Sequence, residues 1–134
     1  MPAFWRFEPN SNESAIIIVR PAANTTAIVS GKNNTTGIAL IEAYDLDPFA
    51  NSKLANISTR GLVQTGDNVM IAGFVAGPAN AAPTGILIRG IGPSLSSFGV
   101  ANSLQDPTLE LHDANGAKIR TNDNWKIDDA SGQS

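Results

Sequence analysis

ESAIIIVRPAANTTAIVSGKNNTTGIALIEAYDLD, from Glu13 to Asp47, is the stretch whose reading decides the fold. Ala15–Arg20 is an isoleucine and valine run, too short for a helix and ended by Pro21. Thr25–Ser30 is a second β-rich segment after the turn Pro21–Asn24. Gly31–Thr36 (GKNNTT) is made of turn-forming residues. Gly37–Asp45 then alternates around Ile38 and Leu40, and less cleanly around Glu42 and Tyr44. The pattern predicts three consecutive antiparallel strands.

Working outward, the same signals recur. Leu46–Ser52 is a connection holding Pro48. Leu54–Thr59 reads as a short strand with Leu54 and Ile57 as core contacts. Val63–Asn68 contains a turn at Gly66-Asp67. Val69–Ala76 is a strongly apolar strand in which Gly73 marks a bulge or a close backbone approach. Gly85–Ile91 alternates with period two, placing Ile86 and Ile88 on one face, and Gly92-Pro93 stops it. Ser94–Leu104 reads as a short helical turn or an ordered loop. Thr108–His112 and Ala117–Thr121 flank the DANG turn Asp113–Gly116, whose Asn-Gly pair is a hairpin signal. Asp123–Ser134 is a polar tail. The expectation is one all-β unit over residues 1–134, an antiparallel two-layer sandwich of jelly-roll-like type. It has about eight short strands joined by Gly, Pro and Asn turns.

Composition narrows the function more than it defines it. The net charge is −3, and the nine Lys and Arg are scattered, whereas nucleic-acid binding needs clustered positive charge. The longest strong apolar run, Ala15–Val19, is far short of a membrane span. MPAFWRFEPN has neither a basic stretch nor the apolar core of a signal peptide. There are no cysteines, hence no disulfide framework, thiolate metal site or Cys nucleophile. His112 is the one histidine, so the usual nucleophile–base arrangements are hard to build. We expect no enzyme and assign no catalytic residue. N-x-S/T sequons at Asn12, Asn24, Asn33, Asn34 and Asn56 would be exposed acceptors if a glycosylating system reads them, although several arise by chance in so Asn- and Thr-rich a chain.

Two binding chemistries remain. Asp113, Asn115, Asn122, Asp123 and Asn124 offer oxygen ligands that a hairpin could bring to one calcium ion. Asp45 and Asp47 are a weaker pair. The competing reading is that Asp and Asn are the standard turn residues, bonding their own backbone. Trp5, Trp125 and Tyr44 could stack on a glycan, although so few aromatics more often anchor a core or an interface.

Four phrases carry a resemblance: GKNNTTGIALIEAYDLD (Gly31–Asp47), SKLANISTRGLVQTGDNVMIAGFV (Ser52–Val75), ILIRGIGPSL (Ile86–Leu95) and DPTLELHDANGAKIRTNDNW (Asp106–Trp125). Together they resemble tandem-repeat β-sandwich domains of large bacterial secreted or surface proteins. The last phrase is also similar to the pre-peptidase C-terminal type of sandwich. In that family the DANG…NDNW phrase precedes the ESAI…AIVSG phrase. The resemblance therefore implies one period of a repeat begun in mid-domain, with the two ends of this chain as neighbours. It implies an extracellular or cell-surface location. A sandwich opened in this way exposes an unpaired strand edge, so two arrangements are open: a head-to-tail homopolymer in which residues 1–47 complete a neighbouring copy by strand addition, or a closed monomer in which the same strands fold back within one chain as a circular permutant. The segment MPAFWRFEPN would lie at the seam, where Phe4, Trp5, Phe7, Ile16, Ile18 and Trp125 are the expected contacts between subunits.

Overall fold

A computed structural model describes residues 12–20, 24–46, 57–75 and 84–125. The strands are β1 (Ser14–Arg20), β2 (Asn24–Gly31), β3 (Gly37–Asp45), β4 (Ile57–Val63), β5 (Met70–Val75), β6 (Thr84–Ile91), β7 (Pro107–His112) and β8 (Lys118–Asn122). They form two antiparallel sheets of four, ordered β1-β6-β3-β4 and β5-β2-β7-β8. The protein is thus the two-layer β-sandwich that its alternating segments predict.

The first three strands do not pair with one another. β1 pairs with β6, β2 with β5 and β7, and β3 with β4 and β6. The chain changes layer between β1 and β2 and again between β2 and β3. At the second crossing it passes through a 3-10 turn, Lys32–Asn34, where Asn33 and Asn34 take left-handed φ values of 57° and 63°. Asn tolerates that region better than most residues. Alternation reports that a strand is half-buried, but the same alternation serves either sheet.

The inward faces make one core. β2 contributes Ala27 and Val29, β7 contributes Leu109 and Leu111, β6 contributes Ile86 and Ile88, and β3 contributes Ala39, Ile41 and Ala43. Ile16 of β1 closes one side and Val63 of β4 belongs to the same cluster. Small residues keep the layers close: a Cβ at Gly90 would lie 3.4 Å from Val29 Cγ2.

The segment Ser94–Leu104, ambiguous in sequence, resolves as part of a 3-10 helix, Pro93–Phe98, followed by a return along β3. The Ile38 N–H donates to Asn102 O and the Leu104 N–H to Ile38 O, both at 2.8 Å. Leu104 is fully buried there. Gly37 permits this approach, because a Cβ on it would stand 2.6 Å from Leu104 N.

Two local expectations need correction. β4 continues past Thr59 to Val63, which is a core residue; Leu54 lies outside the described residues. Gly73 makes neither a bulge nor a close approach. Its pairing with Thr26 is in continuous register, and a Cβ would meet nothing within 4 Å. The register shift falls between Leu111 and His112, against β8.

Candidate functional site

The two ends of the described chain meet. The Trp125 N–H donates to Glu13 O at 2.8 Å. Two residues inside, the Ala15 N–H donates to Asn122 Oδ1 at 3.1 Å. The Ser14 hydroxyl, buried, donates to the carbonyl of Pro107. The start of β1 is therefore held by the first residue of β7, the last residue of β8 and the segment beyond it.

Glu13 lies at the centre of that junction and is 0% exposed. Its carboxylate takes the Gly92 N–H on Oε2 at 2.6 Å and the Ser94 N–H on Oε1 at 2.7 Å. A carboxylate sheltered from water needs charge-assisted hydrogen bonds to offset its lost hydration. The GIGPS segment supplies two amides, with Pro93 between them as a residue that has no N–H to leave unpaired. Gly92 is required for a second reason. A Cβ there would fall 1.9 Å from Leu104 O. Sequence reasoning read GIGPS only as the end of a strand; nothing in the motif itself announces an internal carboxylate as its partner.

β1 is an edge strand with one face buried and one exposed. Ile16 and Ile18, expected as subunit contacts, pack toward this chain's own core. Ile17 and Val19 face out, 62% and 66% exposed. Trp125 is partly buried beside Glu13, and Phe4, Trp5 and Phe7 lie outside the described residues.

A second polar cluster sits on the outward face of the same sheet. Glu42 and Arg89 are direct partners across β3 and β6, with Arg89 Nη2 2.5 Å from Glu42 Oε1. The Tyr44 hydroxyl donates to Glu42 Oε2, and the Arg89 guanidinium lies 5.6 Å from the Tyr44 ring centroid. Arg89 is 4% exposed. Burial, and then the neighbouring Glu42 carboxylate, raise the Tyr44 hydroxyl above its ordinary pKa. Tyr44 is therefore no open platform for a sugar.

Three of the oxygens expected to bind calcium have partners within the protein. Asp113 Oδ1 accepts the N–H groups of Asn115 and Ala117 at 2.9 and 3.0 Å, closing its own turn. Asn122 turns inward to the Ala15 amide, and Asp123 Oδ2 lies 2.6 Å from Lys32 Nζ. The turn chemistry of Asp and Asn accounts for Asp113 and Asn115. Among the described residues no group of three or more His, Asp or Glu is placed to hold a metal ion. Asp45 ends β3, and Asp47 lies outside the described residues. His112 Nδ1 lies 3.0 Å from Gly116 O, and its Nε2 is 3.7 Å from Glu110 Oε1. An open recess of ≈ 590 Å³ beside β3 and β4 is bordered by Thr36, Leu62, Ser96, Asn102 and Gln105, with no acid or base among its lining. No helix among the described residues is long and apolar enough to cross a membrane.

Comparison of the chain with family models, curated proteins and solved structures finds no match.

Proposed function

We propose that this protein is a structural subunit of an extracellular filament or surface assembly, joined head to tail by β-strand complementation. The observation that carries the reading is the pairing pattern. Every strand pairing except β7–β8 has β1, β2 or β3 as one partner. Residues 14–45 thus hold one of the two central strands of each sheet, β2 in one and β3 in the other. Without them, β4, β5 and β6 lose every strand partner they have. A piece so fully shared is a natural unit of exchange, since a neighbour's copy reproduces each contact that the chain's own copy makes. Because the exchanged piece leads from one subunit into the next, the contact is heterologous, and one that does not close on itself gives a filament.

Two further features support the reading. The seam at Glu13 and Trp125 brings the two ends of the described chain together, an arrangement that suits a repeat begun in mid-domain. Ile17 and Val19 leave an apolar, uncharged patch on an edge strand, where strands usually carry charge, Pro or a bulge against unwanted pairing. The resemblance to tandem-repeat sandwich domains of bacterial surface proteins agrees with both and suggests the location. Light scattering on a sizing column tests the reading. It predicts species heavier than the 14.0 kDa chain that grow with concentration, and filaments by negative-stain microscopy. A single sharp peak at the chain mass at high concentration contradicts it. A chain lacking Met1–Asp47 is expected to be insoluble, and to be rescued when the missing piece is co-expressed.

A further inference from the structure

The sequence of β1 leaves its own register open. Its inward residues are Ser14, Ile16 and Ile18, and its outward residues are Ala15, Ile17 and Val19. Sliding the strand by one residue against β6 exchanges the two sets. The exchange puts Ile17 and Val19 where Ile16 and Ile18 stood, a loss of one methylene from the core. Most strands with one buried face are fixed by the penalty of burying polar side chains. Three successive isoleucines remove that penalty here.

We propose that Glu13 fixes the register of β1. It is the one acidic side chain at this end of the strand, it is fully buried, and both of its carboxylate oxygens are engaged by main-chain amides of Gly92 and Ser94. Those amides belong to the loop that directly continues β6, the strand against which β1 must be set. The pin and the ladder are therefore parts of one rigid piece. A slip by one residue moves the strand by about 3.3 Å, beyond hydrogen-bond reach, and leaves a carboxylate and two amides unpaired. Ser14 to Pro107 and Ala15 to Asn122 follow in the same register and reinforce it. The seat alongside β6 accordingly selects an extended segment with an acid three residues before its first inward isoleucine. That selection operates whether β1 comes from the same chain or from a second copy, so it stands or falls apart from the assembly.

Disulfide trapping reads the register directly, because the chain has no cysteine of its own. In the native register Ile17 lies opposite Leu87. The pair Ile17→Cys with Leu87→Cys should oxidise, and the pair Ile16→Cys with Leu87→Cys should not. The deciding variant has one glycine inserted between Glu13 and Ser14. If Glu13 fixes the register, the strand moves one place and the 16–87 pair closes in place of 17–87. If side-chain burial fixes it, 17–87 still closes, and the proposal is overturned. Glu13→Gln, which keeps the shape but carries one acceptor oxygen in place of two, should let both pairs close. Closure of 17–87 alone in that variant also overturns the proposal. So does complete loss of folding in Glu13→Gln, since Glu13 would then support the fold and not the choice of register. If the inserted chain does not fold, the Glu13→Gln result decides.

Discussion

Removing one member of the Glu42–Arg89 pair should cost far more than removing an ordinary surface ion pair. The two side chains are 13% and 5% exposed and in contact at 2.5 Å. Breaking a buried pair leaves an uncompensated charge and costs about 3–5 kcal/mol, whereas an exposed pair is worth about 0–1 kcal/mol. Arg89→Met keeps most of the volume and removes the charge, stranding Glu42 beside the Tyr44 hydroxyl. With about 2.1 cal/mol/K of unfolding entropy per residue, a chain this long shifts its Tm by roughly 3–4 °C per kcal/mol. Arg89→Met should therefore lower Tm by roughly 10–18 °C, measured by circular dichroism near 218 nm (a β-sheet band) at neutral pH. Because domains are typically stable by about 5–15 kcal/mol, the variant should remain folded at room temperature or lie close to the limit. Replacing the whole cluster with apolar residues, as Glu42→Leu, Tyr44→Phe and Arg89→Met together, should recover most of the loss, since no charge or hydroxyl then lacks a partner. The reasoning is refuted if Arg89→Met costs less than about 1 kcal/mol, or if the triple variant is less stable than the single one.

Further outcomes follow from single groups. Burial, and then Glu42, raise the folded-state pKa of Tyr44, so the stability this provides is complete below the ordinary value of 10.0 and fades as pH rises through the higher folded value. Denaturant melts of the wild type should weaken above pH 10 more steeply than those of Tyr44→Phe. Asp106 is raised as well, by burial first and with Asp123 adding to it while Lys32 opposes. Its folded form favours the proton, so stability from this group is present below 3.8 and is lost as pH rises through the folded pKa. Asp106→Asn should therefore gain stability relative to wild type between pH 3 and pH 7, and an equal difference at both pH values counts against the assignment. Gly92→Ala would place a methyl 1.9 Å from Leu104 O and displace the amides that hold Glu13. It should destabilise by about 2–4 kcal/mol, combining overpacking with unpaired polar groups, and should raise hydrogen exchange across β1 first.

The strands were legible because alternation and turn chemistry are local. Gly37–Asp45 was read to the residue, and Thr108–His112 and Gly85–Ile91 to within one. Pairing was not legible, because partners are set by contacts between distant segments. β1 and β6 are adjacent in space, yet sixty-odd residues separate them. The partners of the expected calcium ligands were not legible for a similar reason. Spacing placed Asp113 and Asn122 near one hairpin, but each oxygen found a nearer amide, one in its own turn and the other on β1. Glu13 escaped notice because an acid before an isoleucine run looks like a solvated flank. Only the return of Gly92 and Ser94 alongside it shows why the acid is buried.

The most direct test of strand donation uses two single-cysteine chains. Ile17→Cys and Leu87→Cys are purified separately, unfolded together, refolded and oxidised. These positions face each other across β1 and β6, and the chain has no other cysteine. If β1–β3 of one copy complete the sheets of another, the mixture should yield a disulfide-linked species at twice the 14.0 kDa chain mass, pairing the two variants. If the strands always return to their own chain, that species will be missing. The double variant Ile17→Cys with Leu87→Cys would then close only within single chains, and donation between subunits would be contradicted.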